Sequence, residues 1–254
     1  MTIDVLRPDE LTPELIEAWR AFQAADPDIA SPFLSPDWVQ AVARAQGDRA
    51  ARIAVQHRGG TPVAFFACRP GPFTALPVGA PLSDYQAVVT ARGADVDLRP
   101  MLKALGLARY DFTHAPVTQR ALAGGMRGRH TSWGVDLAGG WTGYLAELKA
   151  KGSALRKDLG SRWRRMEREV GEVRFTPANA DDADFATMVR YKRMQYAQTG
   201  QTDVLGRDWT LRLLEQLLHT RGDRFGGLFS TLHVRDRFAA GHFGLYANSV
   251  LHAW

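Results

Sequence analysis

Cysteine is almost absent. Cys68 is the one thiol among 254 residues, so no disulfide can close within the chain. It stands in V63-A-F-F-A-C68, an apolar run in which a buried, unreactive thiol is expected. Long hydrophobic runs are missing too: no stretch reaches the ~20 apolar residues of a membrane helix. The opening M1-T-I-D-V-L-R-P-D-E10 carries neither the basic nor the apolar region of a secretion signal. A cytoplasmic protein without a transmembrane segment is the expectation. Metal-ligand spacings (HxxxH, HExxH, CxxC) do not occur, so no metal is expected.

What is present is ordinary globular composition, 45% apolar and 23% charged, with one concentrated feature. The formal net charge is +5. Between Lys149 and Glu169 stand eight bases (Lys149, Lys151, Arg156, Lys157, Arg162, Arg164, Arg165, Arg168) and three acids (Asp158, Glu167, Glu169). That window therefore holds the whole excess. Leu148, Leu155, Leu159, Trp163, Met166 and Val170 recur through it at helical spacing and read as one apolar stripe. The arginines occupy the other faces. This is either a surface helix with a solvated basic side or a polyanion surface for phosphate, RNA or an anionic membrane. Arg156, Lys157, Arg162, Arg164 and Arg165 are the candidate contacts.

Two halves emerge along the chain. In the first, helices over 14–22 and 36–46 precede strand-like runs at 51–57, 62–68 and 72–78. Ser35, Pro36 and Asp37 start the second helix and Gly47 closes it. R58-G-G60 makes a hairpin turn. A short helix over 97–106 and a strand over 109–114 follow. Glycines at 124–125, 128, 134 and 139–140 mark a boundary. The second half reads as helices over 141–150, 153–170, 182–197 and 207–219, a strand at 172–176, and a meander at 227–234, 238–246 and 250–254. The fold class is α+β, each half being helices followed by a β-meander, divided as 1–138 and 139–254.

Three groups of polar residues are candidates for a site. In G79-A-P-L-S-D-Y-Q86, the loop residues Asp84, Tyr85 and Gln86 place a carboxylate, a phenol and an amide side by side; the same residues equally make a capped turn. In Y191-K-R-M-Q-Y196, Lys192 and Tyr196 lie one helical turn apart. His233, His242 and His252 fall in the final meander. The turn at A247-N248-S249 is ambiguous in length: one register puts His242 and His252 on one face and the other separates them.

These stretches occur in a telling order: S31-P-F-L-S-P-D-W38, G79-A-P-L-S-D-Y-Q86, L155-R-K-D-L-G-S-R-W-R-R-M-E-R-E169, Y191-K-R-M-Q-Y196 and A240-G-H-F-G-L-Y-A-N-S-V-L-H-A-W254. The set resembles the CelD/BcsL branch of GNAT acyltransferases of bacterial cellulose and polysaccharide biosynthesis, itself similar to the FemABX peptidoglycan aminoacyltransferases. The resemblance implies tandem GNAT-like domains, the C-terminal one carrying acyl-CoA chemistry. It implies acetyl-CoA or another acyl-CoA as donor, and an amine or hydroxyl on a sugar or cell-envelope precursor as acceptor. His252 or His242 is the implied base, with Asp84, Tyr85, Gln86, Lys192 and Tyr196 lining the acceptor cleft. Nucleic acid enters only as an aminoacyl-tRNA donor. The Q/R-x-x-G-x-G/A loop that such folds use for the CoA pyrophosphate is not found: R44-A-Q-G47, Q56-H-R-G59, R168-E-V-G171 and R224-F-G-G227 are followed two positions on by Arg49, Thr61, Val173 and Phe229. The expectation is a second domain truncated after its meander, its apolar edge strand covered by a homo-oligomer or another partner. The alternative is a non-catalytic, degenerate module that binds tRNA, nucleotide-sugar or an anionic membrane through the 149–169 helix.

Overall fold

Two serines organise the front of the molecule. The computed structural model describes residues 1–47 and 51–253, so Arg49 and Trp254 lie outside the described residues. Strand β1 (Thr2–Leu6) leads to helix α1 (Pro13–Ala25), whose Thr12 side chain caps the Leu15 amide. Ser31 Oγ then accepts from Phe33 N and Ser35 Oγ from Trp38 N. The first serine starts the short 3-10 turn Pro32–Leu34, the second starts α2 (Pro36–Gln46), and Gly47 ends α2 at φ 88°. Helix α1 clamps this turn from beside it: Trp19 Nε1 donates to Leu34 O at 2.9 Å, and Gln23 Nε2 donates to Ile29 O and Ser31 O at 2.8 and 3.1 Å.

The first sheet contains β1, β2 (Arg52–Arg58), β3 (Thr61–Pro70), β4 (Thr74–Leu76), β5 (Val89–Thr90) and, after helix α3 (Leu98–Ala104), β6 (Arg109–Tyr110). Its order is β1-β2-β3-β4-β6 with β5 on β3, antiparallel except for β4 against β6. Gly59 and Gly60 make the expected β2–β3 turn, both at positive φ. Two strands are shorter than expected. β4 is framed by Pro72 and Pro77, which have no N–H for a ladder. β6 stops at Tyr110 because the amides of Thr113 and His114 go to the Gln86 side chain instead.

The next segment departs most from expectation. Helices α4 (Gly140–Ala150) and α5 (Leu155–Val170) form, but Gly152 at φ 75° separates them, so Leu148 does not share one continuous stripe with Leu155–Val170. None of the residues from 123 to 172 is buried. The stripe of α5 therefore has no core beneath it.

The second sheet holds β7 (Val173–Asn179) and, after α6 (Asp182–Thr199) and α7 (Asp208–His219), β8 (Phe225–Val234), β9 (Arg237–Ala247) and β10 (Val250–Ala253), in the order β10-β9-β8-β7, all antiparallel. One face packs on α6 and α7: Phe185 on α6 meets Phe229 and Phe243, each at 5.9 Å between ring centres. The main hydrophobic core runs through both halves, joining Trp19, Trp38 and Phe65 to Leu213, Leu217, Phe229 and Leu245. Arg212 of α7 donates to Ala45 O at 3.1 Å, satisfying a carbonyl in the last turn of α2. A smaller cluster around Phe66 and Met101 fills the other side of the first sheet. It contains Cys68, whose thiol burial pushes up to about 12, so it is not a nucleophile at neutral pH.

Three outcomes are expected. Phe229→Ala should cost about 3–5 kcal/mol in chemical denaturation. Because one core joins the halves, the wild-type chain should unfold in a single transition; two separated transitions would show halves that fold independently. Gly79→Ala should cost about 2 kcal/mol or more, because Gly79 sits at φ 78° and a Cβ there would lie 2.5 Å from Trp38 Cζ2.

Candidate active site

The loop 79–86 is pinned by its last residue. Gln86 is buried and both ends of its amide are bonded within the protein. Nε2 donates to Ser83 O at 2.8 Å, while Oε1 accepts from His114 N at 2.6 Å and Thr113 N at 3.1 Å. Gln86 thus holds the loop in place through both ends of its amide. Ser83 Oγ donates to Tyr85 O at 3.2 Å. The turn-capping reading of this loop holds in this form, and the bond helps orient Tyr85. Tyr85 is half-buried, and its hydroxyl donates to Ser132 Oγ at 2.8 Å. Asp84 reaches solvent, yet partial burial of its carboxyl raises its pKa, with the nearby His114 opposing that shift.

The histidines are sorted by the β9–β10 turn. Ala247 pairs Val250, and Asn248 and Ser249 between them have φ 51° and 62°. This is the two-residue turn. His252 consequently pairs Leu245 and points to the core face, whereas His242 pairs Ser230 on the opposite, exposed face. The imidazole of His252 stands edge-on between Tyr85 at 4.8 Å and Phe33 at 5.4 Å, both close to perpendicular. Burial lowers its pKa from 6.5, which keeps the ring neutral and its lone pair available at pH 7. Phe33 in turn stands edge-on to Trp38 at 5.1 Å. The structure thus brings His252 to Tyr85 across the two halves, and leaves His242 outside.

Lys192 and Tyr196 form a separate pair on α6. The Lys192 ammonium lies 5.4 Å from the Tyr196 ring centre. Burial raises the Tyr196 pKa, helped by Asp203, so its phenol stays protonated. No hydrogen bond or ring contact among the described residues links this pair to Tyr85 or His252. A groove of about 960 Å³ lies between α6 and α7, with Phe185, Val189, Met194 and Leu211 inside and the ion pairs Arg193–Asp203 (2.7 Å) and His219–Asp182 (2.9 Å) along it. The cavity beside Tyr85 measures only about 20 Å³, room for a single water. On α5, Arg156, Lys157, Arg162 and Arg164 are exposed, as is Arg165, which pairs Glu169 at 2.8 Å.

The third candidate histidine of the meander has partners that the sequence does not reveal. His233 is buried, with Nε2 3.0 Å from Asp184 Oδ1. Asn179 Nδ2 donates to Asp184 Oδ2 at 2.7 Å and to Thr231 Oγ1 at 3.0 Å. The carboxylate fixes the Nε2–H tautomer and leaves His233 Nδ1 without a hydrogen-bond partner. Only the β8 register, set across 49 positions, brings these groups together, so no local pattern could have signalled them. Among the described residues no three His, Cys, Asp or Glu side chains cluster as metal ligands.

Of an acyl-CoA donor, the described residues fit one part. β10 stands at the edge of its sheet, and the pairing alternation turns the backbone N–H and C=O of Leu251 away from β9. Such an edge can pair with the amides of an extended pantetheine arm. For the pyrophosphate no described residue is assigned.

No curated protein and no solved structure matches the chain significantly. Residues 153–254, from the start of α5 through β10, match the family model of the acetyltransferase (GNAT) domain. This segment of a mixed α+β chain is therefore similar to an acyl-CoA N-acyltransferase fold, whose general chemistry is acyl transfer.

Proposed function

We propose that the protein is an acyl-CoA-dependent transferase of the CelD/BcsL kind, built as tandem GNAT-like domains divided at 138/139. Acetyl is the proposed group, and a sugar or cell-envelope precursor the acceptor. One observation carries the reading: His252, inside the segment that matches the GNAT domain, is held neutral by burial between Tyr85 and Phe33. Attack by an acceptor amine or hydroxyl on a thioester carbonyl forms the new C–N or C–O bond and releases a proton. A neutral imidazole can take that proton as the C–S bond breaks and the thiolate leaves. Tyr85 and the raised-pKa carboxyl of Asp84 provide hydrogen-bonding groups on the acceptor side. Lys192 and Tyr196 stay proposed acceptor contacts only for a substrate long enough to reach α6.

Calorimetric titration with acetyl-CoA, combined with thiol release in the presence of amino sugars, tests this. Binding is expected, and an absence of binding would remove acyl transfer from this chain. His252→Gln should lower turnover by about a hundredfold or more without weakening the donor. A variant as fast as wild type would exclude His252 as base. Activity should fall only on acidification through a pKa below 6.5, because the protonated ring cannot accept a proton and burial lowers that pKa.

A further inference from the structure

We infer that the α4–α5 arm is a docking surface for an anionic phospholipid bilayer, on which α5 lies in the plane of the interface. The starting point is an uncovered face. Leu155, Leu159, Trp163, Met166 and Val170 fall within an arc of about 80° at 3.6 residues per turn. None of them is buried, and Leu159 is 52% exposed. A 16-residue helix without tertiary packing is marginal in water, so this stripe needs a cover.

The composition of the arm selects the cover. Around the stripe, α5 carries six bases (Arg156, Lys157, Arg162, Arg164, Arg165, Arg168) against three acids (Asp158, Glu167, Glu169). Arg156 and Arg162 flank it directly. Two further indoles are open to solvent, Trp141 on α4 at 60% and Trp133 in the segment before it at 91%. A nucleic acid would engage the arginines and leave Leu159 and Trp163 in water. An anionic bilayer satisfies both faces with one partner: indoles and leucines enter the headgroup–acyl boundary while the guanidiniums meet lipid phosphates. No described helix is long and apolar enough to cross a membrane, so the geometry is one of lying on the surface.

Co-flotation of the full chain with vesicles tests the inference. The protein should float with mixed phosphatidylcholine–phosphatidylglycerol vesicles, stay behind with phosphatidylcholine alone, and lose binding as salt rises. Arg162→Glu, Arg164→Glu and Arg165→Glu together should lower partition by about a hundredfold. Leu159→Ser with Trp163→Ser should also release the protein at low salt, while circular dichroism and the melting transition stay those of wild type because neither residue is in the core. Binding equal on neutral and anionic vesicles would overturn the proposal. So would charge-dependent binding that ignores Leu159 and Trp163, binding to tRNA but not to vesicles, or a dimer that needs Leu159 and Trp163 in a protein that does not float.

Discussion

Trp38 is the point on which the geometry of the candidate site depends. Its indole N–H donates to Val78 O at 3.2 Å, and its ring fills the space left by the missing side chain of Gly79. The loop carrying Asp84 and Tyr85 therefore leaves the first sheet at a position set by α2. The edge of the same indole meets Phe33, and Phe33 meets His252. One residue of the first half thus fixes both the loop and the wall against which the histidine of the second half rests. Trp38 itself is placed by the Ser35 cap and by α1, whose Trp19 and Gln23 hold the turn that carries Phe33.

This arrangement gives each half a distinct task. The matched segment supplies the strand β10, a free backbone edge and the imidazole. The first half supplies the apolar wall that desolvates that imidazole, together with the phenol beside it. Desolvation shifts this histidine further towards its neutral, proton-accepting form, so the first half takes part in the chemistry proposed for the second. The α4–α5 arm at the start of the second half stands apart, with no share in either core.

Much of the fold was legible because it is written in local chemistry. The Ser35–Pro36 start and Gly47 stop of α2, the Gly59–Gly60 hairpin and the period-2 strands of the last meander all form as their residues dictate. The misreadings have non-local causes. Thr113 and His114 leave the strand because a glutamine distant in sequence captures their amides, while Asp111 N still donates to Ala75 O. The stripe on α5 was read as a single face through Leu148, but Gly152 interrupts the helix, and spacing alone says nothing of what covers the stripe. At the site, Tyr85 and His252 were both visible as candidates. Their contact was not, since the turn before His252 reads as either two or three residues and the packing of Phe33 is set far from both in sequence. Gln86 is buried and bonded at both ends of its amide within the protein, a role that only the folded loop reveals.

The central claim is that residues of the first half hold His252 buried and neutral. It is tested most directly by following the histidine ring signals by NMR as pH is varied, with His252 assigned by its absence in His252→Gln. His252 should titrate below 6.5, and Phe33→Ala, by admitting water to one side of the ring, should move it back towards that value. A His252 that titrates at or above 6.5 in the wild-type protein, or that ignores the loss of Phe33, would contradict the account.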